Sequence, residues 1–178
     1  MGKMTIFTVG HSTRSLEDFA QLLQGFHVDA VVDIRTIPRS RTNPDYNLDV
    51  MPKLLSRYSI EHHRIAALGG LRKKSRSVSE PTNGLWHNQS FHNYADYALS
   101  DEFERGLCEL LALGNTRRCA IMCSEAVWWR CHRRIVADYL LLRDVEVIHI
   151  MGAGKATRAT LTPGAEARDL QVTYPAPA

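Results

Sequence analysis

The chain has 178 residues, of which 44% are hydrophobic and 23% charged, and a formal net charge of +3. That length suits one domain with a proper core, and so mild a charge admits an anionic ligand without demanding nucleic acid. No apolar run reaches the ~18 residues that a bilayer span needs, and the first residues lack a secretory pattern, so a cytoplasmic protein with no membrane partner is expected.

The four cysteines, Cys108, Cys119, Cys123 and Cys131, lack the paired knuckles of a zinc ribbon and are expected to be reduced thiols.

Ile6, Phe7, Thr8 and Val9 form a short strand pattern that stops at Gly10. A capping box from Ser15 to Asp18 opens a helix carrying Leu16, Phe19, Leu22 and Leu23 at helical spacing, with Gly25 as its C-cap. Val31, Val32 and Ile34 belong to a second strand whose apolar run suits burial on both faces. Residues 38–44 read as loop, 49–57 as a short helix and 60–65 as a third strand. Residues 72–88 are basic and punctuated by Gly and Pro, and are expected to be a mobile excursion. Two helices follow, over residues 91–99 and 101–113. A buried strand covers residues 118–123, a long helix residues 125–142, and a last strand residues 145–150.

The alternation predicts one three-layer α/β domain over residues 1–152, with a mainly parallel sheet flanked by helices in a Rossmann-like, doubly wound arrangement. Residues 153–178 lose periodicity and read as a C-terminal tail.

In such a sheet, ligands bind beyond the carboxyl ends of the strands. That rule gathers Gly10, His11 and Ser12 with Asp33 and Arg35, with Gly69 and Gly70, and with Cys123 and Glu125. A helix beginning just after Cys123 would favour its thiolate through the dipole and free N–H groups. Cys123 is therefore a candidate nucleophile, with His11 or Glu125 as base and Asp33 as a further candidate catalytic group. Each has a plainer reading: Cys123 as a small buried hydrophobe, Glu125 as a helix cap, Asp33 as the structural partner of Arg35. Candidate substrate-binding groups are Ser12, Arg35, Arg39, Gly69, Gly70, Tyr94, His132 and Arg133, the arginines offering planar forks to an anion.

These residues fall into a recognisable pattern. The run from Thr8 to Ser12, Val32 to Arg35 with Pro38 and Ser40, Leu68 to Gly70, Phe91 with Tyr94 and Ala95, and Cys123, Ser124 and Glu125 followed by Cys131, His132 and Arg133 resemble the domain-of-unknown-function family 488. The resemblance runs from about Thr5 to about Ile150. It implies a single α/β domain of bacterial type and no established activity.

Three functions are open. The first is an enzyme acting on an anionic, phosphate- or nucleotide-containing substrate at the strand-end cleft, through Cys123 and His11 or Glu125. The second is a nucleic-acid or nucleotide-binding module without catalysis, using Arg39, Arg41, Arg72, Lys73, Lys74 and Arg76. The third is a metal-binding or thiol-redox protein using Cys123, Cys131, His132 and His11. No cofactor is named by the sequence.

Overall fold

A computed structural model describes residues 2–178. In chain order it contains β1 (Thr5–Gly10), α1 (Leu16–Gly25), β2 (Ala30–Asp33), α2 (Met51–Ser56), β3 (Glu61–Arg64), α3 (Gln89–Tyr97), α4 (Asp101–Thr116) and β4 (Cys119–Cys123). Then come α5 (Arg133–Leu142), β5 (Glu146–Gly152), β6 (Lys155–Arg158), β7 (Glu166–Arg168) and β8 (Gln171–Thr173). Among the described residues, no helix is long and apolar enough to cross a membrane.

Six strands form one sheet in the order β3-β2-β4-β1-β5-β6. The first five are mutually parallel, and β6 closes the edge antiparallel to β5. The central strands are buried on both sides, which is why they are continuous apolar runs rather than alternating ones. Phe7, Val31 and Met122 pack with Phe19, Leu23, Met51 and Leu55 of α1 and α2. Ile6, Val32 and Ile121 pack on the opposite face with Tyr94, Phe103, Leu107 and Ile135 of α3, α4 and α5. This is the expected three-layer α/β domain.

Helix ends follow local chemistry. Ser15 caps α1, its Oγ accepting the Asp18 N–H at 3.1 Å. Ser100 and Asn88 do the same for α4 and α3. Gly25 is not the left-handed cap. That backbone position falls to His27, with φ 59°, and the Val28 N–H closes back onto the Leu23 carbonyl.

The chain leaves β1 toward α1 on one face and leaves β4 toward α5 on the other. β1 and β4 are neighbours, and Gly10 lies opposite Cys123. Adjacent strands whose connections part in opposite directions create the switch point where such folds bind ligands.

Three segments differ from expectation. The helix expected over residues 125–142 begins only at Arg133, after a 3-10 turn at Trp128–Arg130. Val127, Trp128 and Trp129 are β-branched or bulky, poor helix formers, and Trp128 is drawn away to stack flat on His149 at 4.4 Å. The basic excursion 72–88 carries its own 3-10 turn, Glu80–Asn83. The segment after Gly152 is no loose tail: it supplies β6, the β7–β8 hairpin and the buried side chains of Val172 and Tyr174.

Tyr174 joins the last two. Its hydroxyl donates to Asp138 Oδ2 of α5 at 2.7 Å, its N–H to Asn83 Oδ1 at 2.9 Å, and its carbonyl accepts the Leu85 N–H. Asn83 in turn donates to Asp96 of α3 at 2.7 Å. Removing a fully buried aromatic costs about 3–5 kcal/mol. Tyr174→Ala is therefore expected to lower unfolding free energy by that amount in urea and to speed amide exchange at Leu85. Unchanged stability would place the C-terminal segment outside the cooperative unit.

Candidate functional site

A cleft of about 340 Å³ opens over the carboxyl ends of β2 and β4. Its walls come from Arg35, Thr36 and Arg39 after β2, Gly70 and Leu71 after the 3-10 turn Ala66–Leu68, Phe91 and Tyr94 of α3, and the segment from Cys123 to His132. Gly10 explains why the cleft sits to this side of the switch point. A Cβ there would stand 1.7 Å from the Glu125 carbonyl oxygen, so the loop after β4 lies directly across the end of β1. Only glycine permits that close approach.

Cys131 is the chemical focus. It sits two residues before the first turn of α5, in extended conformation, and is 5% exposed. Its Sγ lies 2.8 Å from Cys123 Sγ, 3.5 Å from His132 Nδ1, 3.4 Å from the Arg133 N–H and 3.3 Å from Arg133 Nε. His132 Nε2 is 2.9 Å from the Ile34 carbonyl. A carbonyl only accepts, so Nε2 carries the proton and Nδ1 is free to take one from the Cys131 thiol. The ring is held by Tyr94, edge-on at 5.0 Å, and by Gly70, where a Cβ would come within 2.5 Å of Nδ1.

Burial alone would raise the Cys131 thiol. The Cys123 hydrogen bond, His132 and the Arg133 charge outweigh it and hold the group well below the ordinary cysteine range. The hydrogen bond that Cys123 gives to Cys131, together with burial, pushes Cys123 well up. Cys131 Sγ already accepts from the Arg133 N–H and Nε, so of the two sulfurs Cys131 is the better placed as acceptor and Cys123 as donor.

Behind Cys131 runs a buried polar chain. Arg133, 1% exposed, donates Nη2 to the Glu125 carbonyl at 2.6 Å and Nη1 to Thr8 Oγ1 at 3.3 Å. The Thr8 hydroxyl also hydrogen-bonds His149 Nδ1, 2.6 Å away. Burial and the Arg133 charge depress His149 to about 3, so its ring is neutral.

The other expected site residues divide. Arg39, Gly70, Tyr94, Cys123, Glu125 and His132 line the cleft. Glu125 is exposed and does not cap a helix; its Oε1 accepts the Val127 N–H at 3.4 Å. Gly69 spends its N–H on the Ala66 carbonyl, so it offers no amide to an anion. Tyr94 is buried, its hydroxyl donating to the Leu68 carbonyl at 2.8 Å.

Arg35, on the cleft wall, forms the expected pair with Asp33, with Nε to Oδ1 at 2.9 Å and Nη2 to Oδ2 at 2.7 Å. Burial would raise Asp33, but His62 and Arg35 pull it down to about 2. Arg35 Nη2 also donates to the Tyr46 carbonyl, while Nη1 has no partner among the described residues. His11 does not reach Cys123 by its side chain. It stacks on Tyr46 at 4.0 Å and donates Nδ1–H to the Ser12 carbonyl. Ser12 occupies a left-handed turn, φ 51°, with its N–H on the Ser124 carbonyl.

Among the described residues, no group of three His, Cys, Asp or Glu side chains is placed to hold a metal ion, so Cys123, His132 and His11 do not form such a trio.

Fold and cleft thus define a doubly wound α/β protein with a thiol, imidazole and guanidinium cluster at a strand-end site. The chain belongs to the family described as domain of unknown function DUF488, whose model matches residues 15–140. That span holds every residue of the cleft wall and leaves Gly10, His11 and Ser12 outside it. No curated protein and no solved structure matches the chain.

Charging His149 on unfolding has a pH signature. Its folded pKa lies below the unfolded value of 6.5, so the unfolded chain binds the extra proton and stability falls as pH drops from 6.5 toward 3. At ~1.4 kcal/mol per unit, the loss approaches about 5 kcal/mol at the acid end. Unfolding titrations between pH 6.5 and 4 should show a shallower slope in His149→Gln; an unchanged slope would mean His149 is not the group involved.

Proposed function

We propose that this protein is an enzyme that acts on an anionic, phosphate-containing substrate, with Cys131 as nucleophile and His132 as its proton partner. The observation that carries this reading is the set of donors around Cys131 Sγ, a buried thiol that nonetheless lines a cleft. A purely structural cysteine needs no such environment, whereas a thiolate nucleophile does. This reading moves the nucleophile from Cys123, because the helix start that favoured Cys123 is displaced to Arg133.

Arg39 and Arg130 at the cleft wall supply positive charge for the substrate. Ile37, 62% exposed, and Leu71, 63% exposed, offer an apolar contact for the rest of it. The Cys131 thiolate attacks phosphorus: an S–P bond forms, the P–O bond breaks, and the leaving oxygen takes the proton from His132 Nδ1. Water, deprotonated by Glu125 at the rim, then attacks phosphorus: an O–P bond forms, the S–P bond breaks, phosphate and the thiolate are released, and the Glu125 proton returns through solvent to His132 Nδ1. A phosphate carried on nucleic acid is a second reading, favoured by the exposed side chains of Lys73 and Arg76.

Phosphate release from a panel of phosphomonoesters, nucleotides and short 5′-phosphorylated oligonucleotides tests both. Cys131→Ser is expected to abolish turnover, and His132→Gln to lower kcat/KM by about 10²–10⁴-fold. Release by the wild type that survives in Cys131→Ser contradicts the nucleophile assignment.

A further inference from the structure

We propose that Cys131 and Cys123 form a reversible disulfide, made by a hydroperoxide, that shuts the site under oxidation. The inference concerns regulation of the cleft just described, but it rests on the geometry of the two thiols and holds whatever reaction the cleft performs.

Both cysteines are free thiols and both line the cleft. Their sulfurs are 2.8 Å apart, and a disulfide bond is about 2.05 Å, so closure requires under about 1 Å of sulfur movement. Cys131 ends a loop and Cys123 ends β4, so the adjustment falls on the loop side. The pair has the layout that a peroxide-driven step requires: a sulfur that accepts from Arg133, and a second thiol 2.8 Å away to resolve it.

The chemistry balances in two steps. The Cys131 thiolate attacks one peroxide oxygen; an S–O bond forms, the O–O bond breaks, and the departing hydroxide takes the proton that His132 Nδ1 received from Cys131 and leaves as water. Sulfur is oxidised to sulfenic acid and the peroxide is reduced. Cys123 then attacks that sulfur; the S–S bond forms, the S–O bond breaks, and the Cys123 proton departs with the hydroxide as water.

Arg133 makes the product a switch rather than a staple. Its guanidinium is buried and bonded to Cys131 Sγ, the Thr8 hydroxyl and the Glu125 carbonyl, with no carboxylate among them. Oxidation turns its anionic partner into a neutral sulfur and leaves a buried charge uncompensated. The disulfide is therefore readily reduced, in contrast to structural disulfides. Cys108, exposed on α4, and Cys119, buried at the start of β4, serve as internal controls.

The test uses the full chain, reduced and then titrated with hydrogen peroxide. After free thiols are capped with N-ethylmaleimide, non-reducing digests are read by mass spectrometry. The expected product is an intramolecular Cys123–Cys131 cross-link that dithiothreitol reverses, with Cys108 and Cys119 still capped. In Cys123→Ser, or Cys123→Ala should the serine variant fold poorly, dimedone is expected to trap a sulfenic acid at Cys131. Wild-type Cys131 passing to sulfinic acid without a cross-link overturns the proposal, as does a cross-link to Cys108 or Cys119. Iodoacetamide labelling of reduced Cys131, run alongside, separates the two readings: fast labelling without a cross-link sinks the switch and leaves the nucleophile standing.

Discussion

Arg133 is the largest fully buried side chain in the protein, and its partners are a sulfur, a hydroxyl and a backbone carbonyl. A buried guanidinium without a counter-ion costs several kcal/mol, so the interior must supply negative charge. The group in position to do so is the Cys131 thiolate. The Cys131–Arg133 pair thus ties stability to the proposed reactivity: an ionised Cys131 would both balance the buried guanidinium and supply the proposed nucleophile. Thr8 and His149 complete the arrangement: the Thr8 hydroxyl accepts from Arg133 Nη1 and hydrogen-bonds a ring that stays neutral.

The rest of the site follows from that pair. The Glu125 carbonyl must reach Arg133, and it does so by crossing the end of β1, which is tolerable only because Gly10 has no side chain. Trp128 folds over His149 and thereby breaks the helix that would otherwise run back to Glu125. The break leaves Cys131 in extended conformation, with its sulfur accepting the first amide of α5. Gly70 and Tyr94 then fix the His132 ring against it.

The strands and their parallel arrangement were legible because residues 30–32 and 119–123 are continuous apolar runs, and only burial on both faces explains such runs. The rule that ligands lie beyond strand ends then found Cys123, Glu125, Arg35 and Gly70. It also drew in His11 and Ser12, which share that edge but are roofed by the loop after β4. What stayed hidden depended on contacts distant in sequence. Nothing near Trp128 announces its stacking on His149, so the helix start was placed too early and the helix dipole was credited to the wrong cysteine. Tyr174 likewise anchors through Asn83 and Asp138, partners 91 and 36 residues away. One local signal was available: in Cys131, His132 and Arg133, a thiol, an imidazole and a guanidinium stand next to one another at a helix start.

The ionisation of Cys131 is the claim on which the account stands. Thiolate absorbance at 240 nm, titrated in the reduced wild type and in Cys131→Ser, isolates that single group. A thiolate is expected already at neutral pH, titrating well below the ~8.5 of a free cysteine, absent in Cys131→Ser and shifted upward in Arg133→Met. A difference curve with its midpoint at or above that value would show that Cys131 is a neutral thiol and that Arg133 is balanced by something else.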